Sequence, residues 1–390
     1  MNRADRPLLI LSDVHLGKAG PKGPAADLAR LLAESPDHEL VLAGDVFDLS
    51  VDPPDRAAAD SVVELLKLRP ELCAALGAHL NRGSPVTLVA GNHDAAITAE
   101  PVRQALLSLF GVSGAAKLSL APWFVRRGDI HIEHGHLFDP DNAPSHPLAP
   151  WSARTEPLGV ALTRRFLAPT GALQFAHAHE TTPLSGLMRA FAEFGVRTPW
   201  VILRYFSTAG KLCLEAGRQP GLASEREQGR LLLGAFSELA GLEAEVLQRL
   251  SEFGAQPTHH RFRDIFMRLY FDRVLAGLGL ASGAIAAAAV GSAAGTGVAA
   301  LSLGYLAASS AVNGTNRYSG RPEQRLRDAA ARIREVSGAS VVIFGHTHRE
   351  DETPGYFNSG SFVYSRKDGR PHLVVAEDGV VSRRVMPAGG

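Results

Sequence analysis

Seven side chains in short polar motifs of this chain have the chemistry of metal ligands. They offer carboxylate oxygens, imidazole nitrogens and one amide oxygen, and they are Asp13, His15, Asp45, Asn92, His134, His346 and His348. This mixed set suits transition metals better than Ca or Mg alone; we expect Mn, with Fe, Zn, Co or Ni as alternatives. Seven ligands are too many for one ion. We therefore predict two divalent ions about 3.5 to 4 Å apart, bridged by the Asp45 carboxylate.

Each motif follows a short apolar run. Runs rich in Val, Ile and Leu and closed by Gly or Ser predict buried strands at residues 7–11, 39–43, 86–90, 130–133 and 340–344. Segments 25–34 and 57–80, between the first three strands, predict crossover helices and so parallel β-α-β units. Ligands of such sheets bind beyond the carboxyl ends of the strands, where all the motifs fall. The sequence therefore predicts an α/β fold with one site at the strand ends.

In chain order the motifs are Asp-x-His at 13–15, Gly-Asp-x-x-Asp at 44–48, Gly-Asn-His-Asp at 91–94, His-Gly-His at 134–136 and Gly-His-x-His at 345–348. This order resembles the signature of the calcineurin-like metallophosphoesterases, and every motif is present without substitution. The resemblance implies the fold of that family, a β-sandwich flanked by helices, and a hydrolase that acts on phosphoester bonds. The motifs are a small share of the residues, but they span both ends of the chain.

The resemblance also implies a role for each motif residue. One ion would be held by Asp13, His15, Asp45 and His348, and the other by Asp45, Asn92, His134 and His346. His93 would be the general acid that protonates the leaving-group oxygen, and Asp94 and Asp48 would orient neighbouring groups. The implied reaction is phosphoester hydrolysis by a hydroxide that the two ions hold between them.

Two further residues are candidates for contact with the substrate. Arg349 follows the last ligand, and its guanidinium can pair with two phosphate oxygens. A solvent-facing side chain is the alternative for this arginine. His136 follows His134 by two residues, so we place it at the rim of the site and not among the ligands.

The chain has 390 residues, which predicts more than one domain. The motifs pause after Asn142, so we predict a catalytic domain in two parts, residues 1–142 and 335–390, interrupted by a helical insertion at 143–334. Apolar residues at helical spacing predict one amphipathic helix at 225–252 of the insertion. Lys plus Arg and Asp plus Glu both number 40, and this zero net charge argues against a protein that binds long nucleic acids.

The insertion contains a long segment without charged residues, 274–316, composed mainly of Ala, Gly, Leu, Val and Ser. A helix needs about 20 apolar residues to cross a bilayer, so this segment is long enough for two, with a turn at 291–297. His346 must rejoin Asp13, so the chain must cross any membrane an even number of times, and a hairpin satisfies that rule. Arginines flank both ends, as is typical of cytoplasmic ends. A hairpin buried in a soluble oligomer is the alternative.

We therefore expect a cytoplasmic catalytic domain attached to the inner face of the cytoplasmic membrane. The apolar run before Asp13 is too short for a signal peptide, which agrees with that location. Residues 12–17 and the Gly-His-Thr-His-Arg sequence at 345–349 resemble the bacterial UDP-2,3-diacylglucosamine pyrophosphatase branch of the family, which acts on a lipid-linked pyrophosphate. The long insertion departs from that branch, as does His93, where arginine is usual.

The expected substrate is a lipid-linked or nucleotide-type phosphodiester or pyrophosphate at the membrane surface. One alternative is a phosphodiesterase, phosphatase or nuclease that acts on soluble substrates. Another is a non-catalytic scaffold with the same fold. The presence of all seven ligands and of His93 argues against the scaffold.

Overall fold

The structure, a computed structural model, describes residues 6–18, 20–112, 117–153, 155–173, 183–216, 218, 222–314, 317, 321–364 and 369–389. The chain forms two compact units. The first consists of Met1–Arg164, Pro220–Pro257 and Pro322–Gly390, and the second of Arg165–Gln219 and Thr258–Arg321. The segment 143–334, predicted as one insertion, is thus divided between the two units. Its parts 143–164, 220–257 and 322–334 belong to the first unit.

Eleven strands are present in the described residues, all in the first unit. They are β1 Leu8–Leu11, β2 Glu39–Ala43, β3 Val86–Val89, β4 Leu118–Ala121, β5 Phe124–Arg127, β6 Ile130–Glu133, β7 Val341–Phe344, β8 Glu350–Thr353, β9 Tyr356–Ser359, β10 Arg370–Val375 and β11 Val381–Met386.

The α-helices connect and cover these strands or form the second unit. They are α1 Gly23–Glu34, α2 Ala58–Lys67, α3 Pro70–Asn81, α4 Glu100–Phe110, α5 Leu158–Leu162, α6 Ala168–Thr170, α7 Pro183–Phe194, α8 Thr198–Glu215, α9 Leu222–Leu231, α10 Leu233–Ala240, α11 Ala244–Glu252, α12 Phe262–Arg268, α13 Phe271–Val290, α14 Ala293–Asn313 and α15 Arg321–Ser337.

The strands form two sheets. The first has six strands in the order β11-β10-β1-β2-β3-β4, and the second has five in the order β5-β6-β7-β9-β8. Strands β1 to β4 run parallel, as do β6, β7 and β9 in the second sheet. Parallel neighbours place their carboxyl ends at the same edge of a sheet, so the loops that follow β1, β2 and β3 emerge together, as do those that follow β6 and β7.

Alternate residues of the central strands face two different cores. Leu8 and Ile10 of β1 pack with Ile132 of β6 between the two sheets. Leu9 and Leu11 point the other way, into the core formed with helices α1 to α4. A strand buried on both faces is apolar throughout, which explains the unbroken apolar sequence of β1. The predicted α/β class, with a β-sandwich flanked by helices, is confirmed.

Two segments predicted as single helices are interrupted. Segment 57–80 forms α2 and α3, because Pro70 disfavours helical backbone at the preceding Arg69, whose φ is −134° and ψ is 67°. Segment 225–252 falls in α9, α10 and α11. Helix α10 ends at Gly241, which has the left-handed conformation common after a helix, with φ of 63°. The prediction of one continuous helix is wrong in both segments.

The second unit contains two long apolar helices, α13 with 20 residues and α14 with 21, each long and apolar enough to cross a membrane by length and composition. Gly291 and Ser292 join them, so the turn is shorter than the predicted 291–297. The helices meet where a Cβ on Gly283 would lie 2.6 Å from the carbonyl oxygen of Gly295. Within the described part of the predicted hairpin, residues 274–314, large apolar side chains are exposed; Leu301 is 77% exposed.

A buried ion pair lies at the open end of this hairpin. Arg317 Nη2 is 2.6 Å from Asp272 Oδ2, and the Ser309 hydroxyl donates to the same carboxylate oxygen at 3.2 Å. Both charged side chains are nearly inaccessible to solvent. Asp272 and Arg317 therefore neutralise each other, while Arg273 Nη2 donates to the Ser309 carbonyl at 3.3 Å.

Candidate metal centre

Each of the seven predicted ligands lies within four residues of the carboxyl end of a strand, and the strands are β1, β2, β3, β6 and β7. Backbone hydrogen bonds join their loops in pairs. The Asp13 and His15 amides donate to the carbonyl oxygens of Gly44 and Asp45 at 3.1 and 3.0 Å. The Gly345 amide donates to the His134 carbonyl at 3.0 Å. The topology therefore gathers the motifs at one end of the sandwich.

Five of the predicted ligands have a left-handed backbone. Their φ angles are 55° for Asp13, 47° for His15, 51° for Asp45, 69° for His346 and 58° for His348. Among the described residues other than glycine, Tyr270 alone shares this conformation. The left-handed region is costly for residues with a Cβ and clusters at functional sites. The strain thus marks the same residues that the motifs singled out.

Two glycines allow the loops to approach each other. A Cβ on Gly44, whose φ is 91°, would overlap the His134 ring. A Cβ on Gly91 would overlap Asp45 Oδ1. Any side chain at either position would therefore displace a predicted ligand.

The first group of donor atoms comes from Asp13, His15 and His348. His348 Nε2 is 2.9 Å from Asp13 Oδ1 and 3.2 Å from His15 Nε2, and His15 Nε2 is 3.8 Å from Asp13 Oδ1. Asp13 Oδ1 is buried and accepts no hydrogen bond within the described structure. Two imidazole nitrogens and a carboxylate oxygen that converge on one point are a donor set that a shared cation fits.

The second group comes from Asp45, Asn92 and His134. His134 Nε2 is 3.2 Å from both Asp45 Oδ2 and Asn92 Oδ1. His134 Nδ1 donates to the Ala43 carbonyl at 2.9 Å, which leaves Nε2 as the nitrogen with a free lone pair for an ion. Asp45 Oδ2 also lies 3.9 Å from His15 Nε2 of the first group. The Asp45 carboxylate therefore stands between the two groups, as a bridging ligand must.

His346, the remaining predicted ligand, lies beside the second group. Its ring centroid is 5.2 Å from that of His134, and its Nε2 is 3.1 Å from Asp139 Oδ2. A carboxylate on one ring nitrogen leaves Nδ1 for a metal and fixes the ring orientation. Asp139 was not predicted from the sequence, because its Asp-Pro context indicates only a turn and a contact with a residue so distant in the sequence leaves no local signal.

The donor set fits divalent ions. Two clusters each have carboxylate and imidazole atoms within 4.8 Å of one another. One is formed by Asp13, His15 and His348, and the other by Asp13, Asp45 and His134. With the Asn92 amide they form a mixed nitrogen and oxygen set that suits Mn, Fe, Zn, Co or Ni. The structure thus brings the predicted ligands together, and the assignment of each residue to one ion stays a prediction.

The site electrostatics also favour a cation. Burial disfavours protonation of His134, but the Asp45 carboxylate outweighs burial and raises the pKa of this imidazole to about 9. Burial likewise opposes protonation of His15, and the Asp48 carboxylate raises its pKa well above the usual range. The site therefore stabilises positive charge at its centre, and protons compete with metal ions for it.

His93 lies at the edge of the first group, with its ring centroid 5.1 Å from that of His15. Its Nδ1 is 2.6 Å from the Ser50 hydroxyl and 3.4 Å from Asp48 Oδ1. Asp48 Oδ1 also lies 3.1 Å from His15 Nδ1. Asp48 thus contacts both imidazoles, in agreement with the orienting role expected for it. Ser50 is a further contact that the motifs did not indicate.

Asp94 has a different position from His93. Its Oδ1 accepts from the Gly91 amide at 2.7 Å, and its Oδ2 accepts from the Val46 and Phe47 amides at 2.7 and 3.2 Å. The side chain is fully buried. Asp94 therefore holds the loops after β2 and β3 together, and this makes it a positioning residue rather than one that reaches substrate.

The two predicted substrate contacts differ in their surroundings. The His136 ring centroid is 5.5 Å from that of His134, and burial together with His134 and His346 holds the pKa of His136 well below its usual range. A neutral imidazole therefore lies beside the second group. Arg349 Nε is 3.5 Å from Glu323 Oε1, and the arginine side chain is 47% exposed. Its role as a phosphate clamp stays a prediction.

Residues 6–198 match the family model of the calcineurin-like phosphoesterases. The match covers the motifs from Asp13 to His136, and His346 and His348 lie outside it. No protein in a set of curated sequences matches the chain. The matched residues, the two-sheet fold and the converging ligands agree with one another. The chain contains a calcineurin-like phosphoesterase domain, and its enzyme class is that of the metal-dependent hydrolases acting on phosphoester bonds.

Proposed function

We propose that this enzyme uses two divalent ions, Mn in the first instance, to hydrolyse a lipid-linked or nucleotide-type phosphodiester or pyrophosphate at the inner surface of the cytoplasmic membrane. The observation that carries the two-ion part is the position of Asp45. Its Oδ2 lies 3.2 Å from His134 Nε2 and 3.9 Å from His15 Nε2, between two separate groups of donor atoms.

The ligands divide as the motifs imply. Asp13, His15, Asp45 and His348 would hold one ion, and Asp45, Asn92, His134 and His346 the other. When bound, the ions polarise the phosphoryl group and lower the pKa of the attacking water. Asp94 and Asp139 keep the ligands in place through the Gly91 amide and the His346 ring.

His93 is the proton donor in this proposal. Its Nδ1 is occupied by Ser50 and Asp48, so Nε2 is the nitrogen that gives a proton to the leaving oxygen. The Asp48 carboxylate, with Oδ1 3.4 Å from Nδ1, helps to orient the ring for this step. The side chain is 13% exposed, enough for contact with substrate at the edge of the site.

The membrane location rests on the hairpin formed by α13 and α14. A helix of 20 residues is about 30 Å long, the thickness of the hydrocarbon core. The described residues of 274–314 carry no charge, and Asp272 and Arg317, which lie close to the two ends of this segment, pair with each other. Helices so apolar and so exposed within the chain are suited to lipid contact.

Detergent extraction tests the location. We expect the full-length protein to sediment with membranes and to need detergent for release. Leu301→Arg places a charge on an exposed position of α14, so it should weaken membrane partition, since arginine is costly inside hydrocarbon. Leu68→Arg, at an exposed site of the first unit, is the matched control. A full-length protein that stays soluble and monodisperse without detergent would exclude the membrane hairpin.

The substrate proposal follows the resemblance to the UDP-2,3-diacylglucosamine pyrophosphatase branch. Mn-loaded enzyme is offered a UDP-linked diacyl sugar beside a water-soluble nitrophenyl phosphodiester, and the products are separated by chromatography. Selective cleavage of the lipid pyrophosphate supports the proposal. Cleavage of the soluble diester alone rejects the lipid substrate and leaves a soluble-substrate phosphodiesterase.

Asp45→Ala is the control for the metal site in both reactions. This variant should lose at least one ion and all turnover, because Asp45 is the one ligand assigned to both ions. Elemental analysis that finds two ions per chain in the variant would contradict the bridging role.

A further inference from the structure

A cleft beside the second ligand group has no role in the mechanism so far. It measures about 610 Å³ including its open mouth, and both Asn92 and His136 line it. The opposite wall comes from segment 144–157 and from Glu225 of α9, all within the first unit. We call this space the Glu225 cleft.

Hydroxyl, amide and carboxylate groups dominate the polar part of the lining. They belong to Asn142, Ser145, Ser152, Thr155, Glu156 and Glu225, and Trp151 supplies an aromatic ring. The lining residues, all within the described part of the chain, include neither lysine nor arginine. The Thr155 hydroxyl donates to Glu225 Oε1. The cleft is thus rich in hydrogen-bond acceptors and carries negative charge.

Charge limits what can enter. Glu156 Oε2 is 3.0 Å from Arg164 Nε, so this carboxylate is already neutralised by an ion pair. Glu225 is hydrogen-bonded to a neutral hydroxyl and has no such ion pair among the described contacts. Burial raises the pKa of Glu225, as expected for a carboxyl group without a cation beside it. A second phosphate here would be repelled, whereas sugar hydroxyls would find acceptors and an aromatic face.

A second cleft fixes the direction of the substrate. His93, Arg56, Arg164 and Trp151 all line it, and Trp151 is common to both clefts. Because His93 is the proposed proton donor, the leaving group lies in this second cleft, on the His93 side of the Trp151 ring. The substituent that remains on phosphorus then lies in the Glu225 cleft, next to Asn92.

We propose that the Glu225 cleft binds the retained substituent of the phosphoester, and that this substituent is uncharged and bears hydroxyl groups, as a sugar or polyol does. The inference rests on the proposed hydrolase function and adds its substrate class. A nucleoside and a glycolipid head group share this chemistry, and the substrates compared below distinguish them.

A series of nitrophenyl phosphodiesters with one leaving group isolates the retained substituent. It comprises bis(p-nitrophenyl) phosphate and the thymidine 5′, glyceryl, glucosyl and choline esters of p-nitrophenyl phosphate. We expect the hydroxyl-bearing esters to exceed the bis ester about tenfold or more in kcat/KM, the factor given by one hydrogen bond to a charged group. A best thymidine ester indicates a nucleoside, and a best glucosyl or glyceryl ester indicates a sugar head group.

Glu225→Gln should remove the preference by raising KM for the hydroxyl-bearing esters. Glu227→Gln, on the exposed side of the same helix, is the matched control and should keep the preference. Trp151→Ala repeats the test at the aromatic wall if Glu225→Gln does not fold.

Three results would overturn the inference. Equal kcat/KM across the series would show that the cleft does not recognise the retained substituent, while the hydrolase function stands. The same conclusion would follow if Glu225→Gln and Trp151→Ala both kept the preference. Preference for the choline ester assigns the cleft to a cation. No turnover of any ester by metal-loaded enzyme rejects the hydrolase function and the cleft inference together.

Discussion

Asp139→Asn is the change that best tests how the second ion is held. Asp139 Oδ2 is 3.1 Å from His346 Nε2 and accepts from the Asn142 amide at 2.7 Å, while Oδ1 accepts from the Asp141 backbone at 3.1 Å. Asparagine has the same shape and keeps one acceptor, which the Asp141 amide can use. The new amide NH2 of asparagine would face the His346 Nε2–H. Two donors would then replace the charge-assisted hydrogen bond between His346 and Asp139.

The magnitude follows from that exchange. Both side chains are 8% exposed, so solvent compensates little for the lost bond. A hydrogen bond to a charged group contributes about 1.5–3 kcal/mol. A shift of the His346 proton to Nδ1 would avoid the clash but remove the nitrogen left for the metal. We therefore expect Kd of the second ion to rise about 10- to 100-fold, with the first ion bound as before.

Calorimetric titration of Mn²⁺ into chelator-treated protein measures both sites at once. Asp328→Asn, which removes a carboxylate from an exposed position of α15, is the matched control and should bind both ions as the parent protein does. Thermal melts of both variants establish that the fold is retained. An unchanged second-site Kd in Asp139→Asn would refute the orienting role of Asp139.

Three further predictions concern separate parts of the first unit. His93→Ala should keep both ions and slow hydrolysis of an ester with an alkyl leaving group about 100-fold or more. Hydrolysis of a nitrophenyl ester should slow much less, because nitrophenolate leaves without a proton. Equal slowing of the two kcat values would contradict the role of His93 as the acid. Gly91→Ala should destabilise the fold by about 1–3 kcal/mol and lower the metal content, since its Cβ overlaps Asp45 Oδ1. Gly210→Ala, where a Cβ meets open space, is the control and should change neither stability nor metal content. Thermal melts and elemental analysis measure the two effects. Burial and Arg230 lower the pKa of His146 to about 4, so the unfolded chain, with a pKa near 6.5, binds more protons between these values. The contribution of His146 to the free energy of unfolding is complete above pH 6.5 and is lost as pH falls toward 4. Urea unfolding at pH 7.5 and at pH 5 should therefore show that the free energy of unfolding falls by about 1 to 2 kcal/mol, and His146→Gln should reduce this fall. A fall of the same size in the variant would exclude His146 as the cause.

The strands predicted from the sequence are those at the centre of the fold. Strands β1, β2, β3, β6 and β7 are buried and apolar, and each ends in a polar motif, so both the strand and its ligand leave a local signal. Strands β4, β5 and β8 were not predicted. Each lies at the edge of a sheet, and Phe124–Arg127 and Glu350–Thr353 carry charged residues that mask a strand pattern.

The candidate site shows the same division. Asp13, His15 and the other motif residues were found because their types and spacing imply metal binding. Asp139 and Ser50 were not, since their function depends on contacts with His346 and His93 that only the fold creates. The Glu225 cleft was missed for the same reason, because α9 reaches the site through tertiary packing and not through proximity in the sequence.

The distribution of the ligands along the chain has a consequence for biosynthesis. Asp13 leaves the ribosome 335 residues before His348, although His348 Nε2 lies 2.9 Å from Asp13 Oδ1 in the folded protein. At about 5–20 residues per second, translation separates the two ligands by roughly 20 to 70 s. The hairpin segment emerges within that interval, so any membrane targeting signal it carries is exposed while the first ion still lacks His348. Each predicted ion site takes one ligand from His346 or His348, so neither predicted ligand set is complete until the end of the chain has been synthesised.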